Sequence, residues 1–370
     1  MNILYKTTSS CNANCSYCFD KINQDNKTQL MPLPQLHQIF EHLCCMDDYI
    51  SWTWHGGEPT LAGQQYLEDA MFDMTMLAMQ YNVQIDFGIQ SNGILFDKDW
   101  YDLFDKYSVQ VGMSWDGINN LQSRRYSHTP PIGSMGSLYI ITPNNIDNLI
   151  EDYKFANKHN LQVSRNWVFP NDGQTVEDIW GDPNVPIQKY LKFLQFYIWD
   201  ANGQTQDRNI NGWILQSLGK HSDTCLFGNC WDTDLFCLDY HGKIYKCDEL
   251  HRPELLIGDI LNFNSIEELK QSKTVQTQLQ KKEKWKKTDC KDCPYLGLCF
   301  QGCYTRAIQE SKGEHPYSFG CLLTKTILPF LYEQISNLAP EQFIKLNPVI
   351  KDLLISNNYV PAFIKERTNL

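Results

Sequence analysis

The chain has 370 residues, 14 cysteines and a net charge of −11, so two domains are expected and a general nucleic-acid binder, which needs a basic surface, is not. No apolar run reaches membrane-spanning length, and Met1-Asn2-Ile3-Leu4-Tyr5-Lys6 lacks the basic-then-apolar pattern of a signal peptide. A cytoplasmic protein is expected, in which so many reduced thiols serve metal or catalysis rather than disulfides.

Ile3-Leu4-Tyr5 reads as a strand, and the chain leaves it through Ser10-Cys11-Asn12-Ala13-Asn14-Cys15-Ser16-Tyr17-Cys18-Phe19. Three thiols this close can converge on one inorganic centre, and soft thiolates suit an iron–sulfur cluster. Three cysteines on a four-iron cubane leave one iron open for substrate; a zinc loop is the alternative for the bare triplet. Leu36, Ile39, Phe40, Leu43 and Cys44 then mark one face of a helix, which makes Cys44 a core residue; Cys45 is given no role. Ile50, Trp52 and Trp54 alternate as a strand that runs into His55-Gly56-Gly57-Glu58-Pro59-Thr60. Adjacent glycines let backbone approach a ligand closely, and a glutamate can pair with an ammonium group.

The pattern repeats with a helix over 65–80, a strand marked by Val83, Ile85, Phe87 and Ile89 ending at Ser91-Asn92-Gly93, and a helix over 97–107. A strand with Val109, Val111 and Met113 ends at Ser114-Trp115-Asp116-Gly117, followed by a strand near 137–141, a helix over 146–159 and a strand over 161–169. Alternation of this kind indicates a parallel sheet with right-handed crossovers, whose ligands sit at the carboxyl ends of the strands. The cysteine loop and the polar or glycine-rich turns all fall at those ends.

Taken together, the cysteine spacing and the Gly-Gly-Glu-Pro turn resemble the radical S-adenosylmethionine (SAM) superfamily. The resemblance covers about the first 215 residues and implies an α/β fold, a partial (β/α)6 TIM-like barrel. It implies that Cys11, Cys15 and Cys18 hold a 4Fe–4S cluster whose open iron chelates SAM, and that reductive cleavage releases a 5′-deoxyadenosyl radical. It places Tyr17 against the nucleotide, Gly56, Gly57 and Glu58 at the methionine amine, Ser91, Asn92 and Ser114 near the ribose, and Arg125 or Arg124 near the carboxylate.

Residues 171–222 read as a lid or linker, with a helix over 187–199. Asp234 to Cys247 reads as a hairpin turning at His241-Gly242, and Ser265 with Glu268 as a capping box. Cysteines lie at 225, 230, 237 and 247, then in Cys290-x2-Cys293-x5-Cys299-x3-Cys303, with Cys321 beyond. That is too many thiols for one metal. Gly242 with Cys247 and the later spacings resemble the SPASM extension of peptide-modifying radical SAM enzymes, expected over 216–322 after a barrel over 1–215, with a helical tail over 323–370. The extension implies two auxiliary 4Fe–4S clusters, three clusters in all: Cys225, Cys230, Cys247 and Cys303 for one, Cys290, Cys293, Cys299 and Cys321 for the other. Cys237 is left over, and core packing is its expected role. The lysine-rich run 281–287 reads as a solvated helix face.

Asp248 matches the proposed base of anaerobic sulfatase-maturating enzymes; the alternative is a carboxylate that only hydrogen-bonds near a cluster. The expected activity is a radical SAM oxidoreductase that oxidises or crosslinks a residue of a ribosomally made peptide, with formylglycine formation as the alternative. The expected partners are a peptide or protein substrate and an electron donor such as flavodoxin or ferredoxin, without nucleic acid or membrane. The sulfatase-maturating group tends to have Phe-Tyr after the third cysteine and glutamine before the double glycine. This chain has Phe19-Asp20 and His55. It opens at the first barrel strand, so the substrate is expected to be gripped by the barrel mouth and the extension, or by a separate protein.

Overall fold

Strands and helices alternate from the start: β1 (Asn2–Thr8), α1 (Leu33–Cys44), β2 (Tyr49–Gly56), α2 (Gln64–Tyr81), β3 (Gln84–Ser91), α3 (Lys98–Lys106), β4 (Gln110–Ser114), β5 (Gly136–Ile141), α4 (Leu149–Lys158) and β6 (Gln162–Trp167). Helices α5 (Asn184–Trp199) and α6 (Arg208–Ser217), strands β7 (Leu235–Leu238), β8 (Lys243–Tyr245) and β9 (Leu256–Asp259), and helices α7 (Lys273–Lys287), α8 (Tyr304–Ser311) and α9 (Phe319–Ile335) follow, with shorter helices among them. This computed structural model describes residues 1–20, 29–119, 136–171, 173–220, 222, 224–225, 230–249, 255–357 and 359. Among them no helix is long and apolar enough to cross a membrane.

The chain packs as two units. The first draws on Met1–Ser114 and Asn229–Lys284, the second on Thr129–Gly228 and Trp285–Leu370 together with Trp115 and the residues after it. In the first unit the strand order is β4-β3-β2-β1-β7-β8-β9. The strands β4, β3, β2, β1 and β7 run parallel, and β8 and β9 are antiparallel additions. The hairpin predicted within the extension thus pairs with β1, Asn2 opposite Leu235 and Leu4 opposite Cys237. It covers backbone groups that β1 would otherwise present as a bare edge. Its turn is set by Gly242 at φ 77°, a conformation that glycine adopts without a Cβ penalty, and by Asp239 Oδ1, which accepts from His241 N and Lys243 N at 2.9 Å each.

Side chains alternate across a strand, so the two faces of this sheet differ in chemistry. Tyr5, Trp52 and Trp54 point to one face, with Phe40 of α1 against Trp52 and ring centroids 4.9–6.0 Å apart. Leu36, Leu43, Cys44, Leu67, Met71, Phe87, Phe236 and Leu238 complete that core. The other face carries Leu4, Lys6, Thr53, His55, Gly88, Gln90 and Cys237, a mostly small and polar set.

In the second unit β5 and β6 pair in parallel. The stretch read from sequence as a lid or linker includes α6, which packs on β6 through a fully buried ion pair. Arg165 reaches Asp207 Oδ2 at 2.6 Å, while Asp207 Oδ1 caps α6 by accepting from Asn209 N and Ile210 N at 3.1 Å each. The rings of Tyr139 and Phe193 lie 5.0 and 5.1 Å from the guanidinium carbon. A lone arginine in a strand pattern carried no sign of this, because its partner lies in another element.

Candidate active site

Cys11, Cys15 and Cys18 sit in the loop that leaves β1; Cys15 is buried and the other two partly so. The double glycine holds this loop. Gly57 N donates to Thr8 O at 2.8 Å and Glu58 N to Ser10 O at 2.8 Å. Gly56 has φ 110°, and a Cβ on it would come within 2.7 Å of Thr8 O; one on Gly57 would overlap Ser10 O. The expected close approach is therefore present, but what the glycines approach here is the backbone of the cysteine loop.

Glu58 is the hub of the arrangement. Its buried carboxylate accepts four hydrogen bonds: from Thr60 N at 3.1 Å, Thr60 Oγ1 at 2.6 Å, Ser91 Oγ at 2.8 Å and Asn92 N at 2.8 Å. Bonds to a charged acceptor are the strong ones, and four of them offset the cost of burying the charge. Asn92 Nδ2 in turn donates to Asn12 Oδ1 at 2.8 Å and lies 3.9 Å from Cys11 Sγ. Ser114 Oγ accepts from Gln90 Nε2 at 3.0 Å. The carboxyl ends of β2 and β3 are thus tied together through one carboxylate, and the Glu58 N–H and Asn92 Nδ2 join them to the loop after β1. Tyr17 lies between the second and third cysteines, partly buried. Arg124 and Arg125 lie outside the described residues.

Burial pushes the Cys11 thiol up to about 11, and Glu58, Cys15 and Cys18 push the same way, against the Ala13 N–H directed at its sulfur at 3.4 Å. In the second unit burial, with the neighbouring thiols, pushes Cys290 up to about 11 through Cys299, Cys293 and Cys321, and raises Cys299 and Cys321 as well. The N–H groups of Gln301 and Gly302 pull Cys299 the other way. Crowded thiols in a low-dielectric setting resist losing their protons one by one, and a cationic centre among them reverses that balance. This donor chemistry fits iron–sulfur clusters. Among the described residues no three His, Cys, Asp or Glu side chains converge on a single-ion site; a cubane instead takes its thiolates at separate corners.

Of the other cysteines, Cys230 and Cys247 belong to the first unit and Cys225 and Cys303 to the second. Cys44 lies in the core, as expected from its helical face. Cys237 is fully buried; burial pushes its thiol well up, Lys6 pulls it down, and Asp248, Asp239 and Asp20 push it further up. Asp248 faces His55, Oδ2 to Nδ1 at 3.6 Å. Lys6 Nζ donates to Asp20 Oδ1 at 2.8 Å, and both side chains are buried. Sequence reading passed over Lys6, and named His55 and Asp20 only as departures from a pattern. The alternation that sets Thr53 and His55 on the face opposite Trp52 and Trp54 was the available signal.

A parallel sheet with a three-cysteine loop at the end of its first strand, and a carboxylate hub joining the next two strand ends, defines the class: an α/β protein built to hold an inorganic centre at the carboxyl edge. Residues 5–134 match the Radical SAM superfamily, and this stretch is a radical SAM domain. The chain is 24% identical to a cysteine-type anaerobic sulfatase-maturating enzyme of Clostridium perfringens, over 92% of this chain and 98% of that one. It is 22% identical to a serine-type enzyme of Bacteroides thetaiotaomicron over 84% of each chain. Among solved structures it resembles native anSMEcpe with bound AdoMet and Cp18Cys peptide, with a TM-score of 0.75, 22% identity and coverage of 90% and 96%. It also resembles Streptococcus suis SuiB bound to S-adenosylmethionine, with a TM-score of 0.57, 15% identity and coverage of 85% and 75%. The α/β class expected from sequence, a parallel-stranded core like that of radical SAM structures, is the observed one.

Proposed function

We propose that the protein is a radical SAM maturase that oxidises or crosslinks a side chain of a ribosomally made peptide. The observation that carries this is the locked set of Cys11, Cys15, Cys18, Gly57, Glu58, Ser91 and Asn92 at adjacent strand ends. Cys11, Cys15 and Cys18 would hold the SAM-binding cluster, with Tyr17, Gly56, Gly57, Glu58, Ser91, Asn92, Ser114 and Arg125 around SAM. Cys225, Cys230, Cys247 and Cys303 would hold one auxiliary cluster, and Cys290, Cys293, Cys299 and Cys321 the other. When bound, these groups supply a primary carbon radical for hydrogen abstraction and a one-electron acceptor.

The chain's own residues do the rest. Glu58 fixes three strand ends, so the reacting groups meet in one geometry. The inner face of the sheet offers small and polar side chains where a peptide residue could lie. Asp248, with 19% of its side chain exposed, takes the proton that the substrate must lose once its second electron has left. The electron would come from a small redox protein such as flavodoxin or ferredoxin.

The end-to-end likeness to the curated relatives favours a second reading, conversion of a cysteine or serine to formylglycine. Asp20 and His55, in place of the tyrosine and glutamine of that group's pattern, favour the first. Anaerobic incubation with SAM, a reductant and a short peptide encoded beside the gene separates them. A product lighter by two hydrogens and unreactive to hydrazine supports crosslinking. A hydrazine-reactive aldehyde replaces that reading with the second. Absence of 5′-deoxyadenosine under all conditions rejects both.

A further inference from the structure

The two departures from the sulfatase-maturating pattern meet on one face of one sheet. Lys6 and His55 are register partners on the neighbouring parallel strands β1 and β2, so their side chains rise side by side. Asp20 approaches Lys6 from the loop, at 2.8 Å, and the ring of Phe19 lies 5.5 Å from the same ammonium. Asp248 approaches His55 from the loop after β8. His55 Nδ1 is buried and makes no hydrogen bond, with Asp248 Oδ2 at 3.6 Å just beyond hydrogen-bond reach. On β7 Cys237 is the register partner of Leu4, on the same face.

This is a sorting problem in charge. A buried ammonium is expensive without a carboxylate beside it, and two carboxylates compete for it. Asp20 Oδ1 lies 2.8 Å from Lys6 Nζ, and Asp248 Oδ2 lies 3.6 Å from Nδ1 of His55, the register partner of Lys6. While Asp20 holds Lys6, Asp248 is left to the imidazole. Without Asp20, the flexible lysine would turn to Asp248 and hold its oxygens away from a substrate proton.

Building on the reading of Asp248 as proton acceptor, we propose that His55 and Asp20 are its positioning residues. His55 donates from Nδ1–H to the Asp248 carboxylate and aims it at the reacting side chain, and Asp20 keeps Lys6 from capturing that carboxylate. The pairing makes the two departures one feature, and it suits a target residue whose oxidation requires a proton to leave at a fixed position.

The test uses the reconstituted holoenzyme with SAM, reductant and peptide. It counts product formed per 5′-deoxyadenosine released, a ratio that a merely weakened fold leaves unchanged. His55→Gln and Asp20→Asn, both close in size, are expected to lower that ratio by about tenfold, with kcat for product falling and the peptide KM within about twofold of wild type. His55→Ala is expected to lower it further. Iron content and melting temperature identify any variant that fails to fold, in which case the isosteric partner variant decides. A second readout is structural. In a crystal of the wild-type complex, His55 Nδ1 and Asp248 are expected within about 3.2 Å, and in Asp20→Asn the Asp248 carboxylate is expected to be paired with Lys6. A wild-type ratio in both His55→Gln and Asp20→Asn overturns the proposal. Asp248→Asn separates the two layers: if it uncouples while the other two do not, only the positioning role fails. If Asp248→Asn itself stays coupled, the proton-acceptor reading fails with it.

Discussion

The loop at 11–18 and the cysteine set at 290–321 hold crowded thiols by different means. Around Cys11, Cys15 and Cys18 local bonds among the described residues are few, such as Cys18 N to Cys15 O at 3.3 Å, and much of the bracing comes from outside: Gly57 and Glu58 at the end of β2, Ser91 and Asn92 at the end of β3. Around Cys290, Cys293, Cys299 and Cys321 much of the bracing is local. Cys293 N donates to Cys290 O at 3.0 Å and Gly302 N to Cys299 O at 2.8 Å, and Phe300, Gln301 and Gly302 in succession take positive φ to fold the chain back. Cys321 sits in the first turn of α9, where Ser318 Oγ accepts from its N–H at 3.3 Å. The difference teaches that the thiols of the first loop depend on neighbouring strand ends for their placing, whereas those at 290–321 are laid out largely by turns of their own stretch.

The largest expected effect separates the two regions outright. Cys18→Ala should abolish 5′-deoxyadenosine formation. Cys293→Ala should leave SAM cleavage within about tenfold of wild type while product disappears. Chromatographic assay of both products checks this, and equal loss of SAM cleavage in both variants breaks the comparison.

Glu58→Ala comes next. It orphans three buried donors and one partly buried one and should cost about 4 kcal/mol of stability, seen as a lowered urea midpoint. It should also loosen the cysteine loop, so iron lost on dilution comes from the first region and not from the second.

The smallest effect belongs to the second region. Burial, its largest perturbation, pushes the Glu310 carboxyl up to about 7 from an ordinary value of 4.5. That carboxylate accepts from Phe319 N at 2.7 Å, at the start of the helix that carries Cys321. With its folded pKa raised, the folded chain holds the proton more tightly than the unfolded chain does. This contribution is fully present below about pH 4.5 and is lost as pH rises through about 7, roughly 2 kcal/mol after allowance for partial solvent screening. Glu310→Gln should flatten that slope in melts taken between those limits; an unchanged slope assigns the pH dependence elsewhere.

Much of the first region was legible because it is local. The intervals between Cys11, Cys15 and Cys18 need no fold to be read, and the alternation of Trp52 and Trp54 announces a strand with two unlike faces. The helix at 208–217 was not legible, because its anchor Asp207 finds its partner Arg165 only across the fold. The hairpin at 235–245 could be read as a hairpin, yet nothing in its residues says that β1 is the strand it joins.

The sequence by itself determined the order of elements from β1 to β6 and the placing of thiols and glycine turns at strand ends, because periodicity and spacing are properties of neighbours along the chain. Only the tertiary structure decided that Glu58 serves three strand ends, that Lys6 answers to Asp20, and that His55 faces Asp248. Those pairings follow from register between strands and from which face a buried charge must share, and burial makes each choice of partner costly to change.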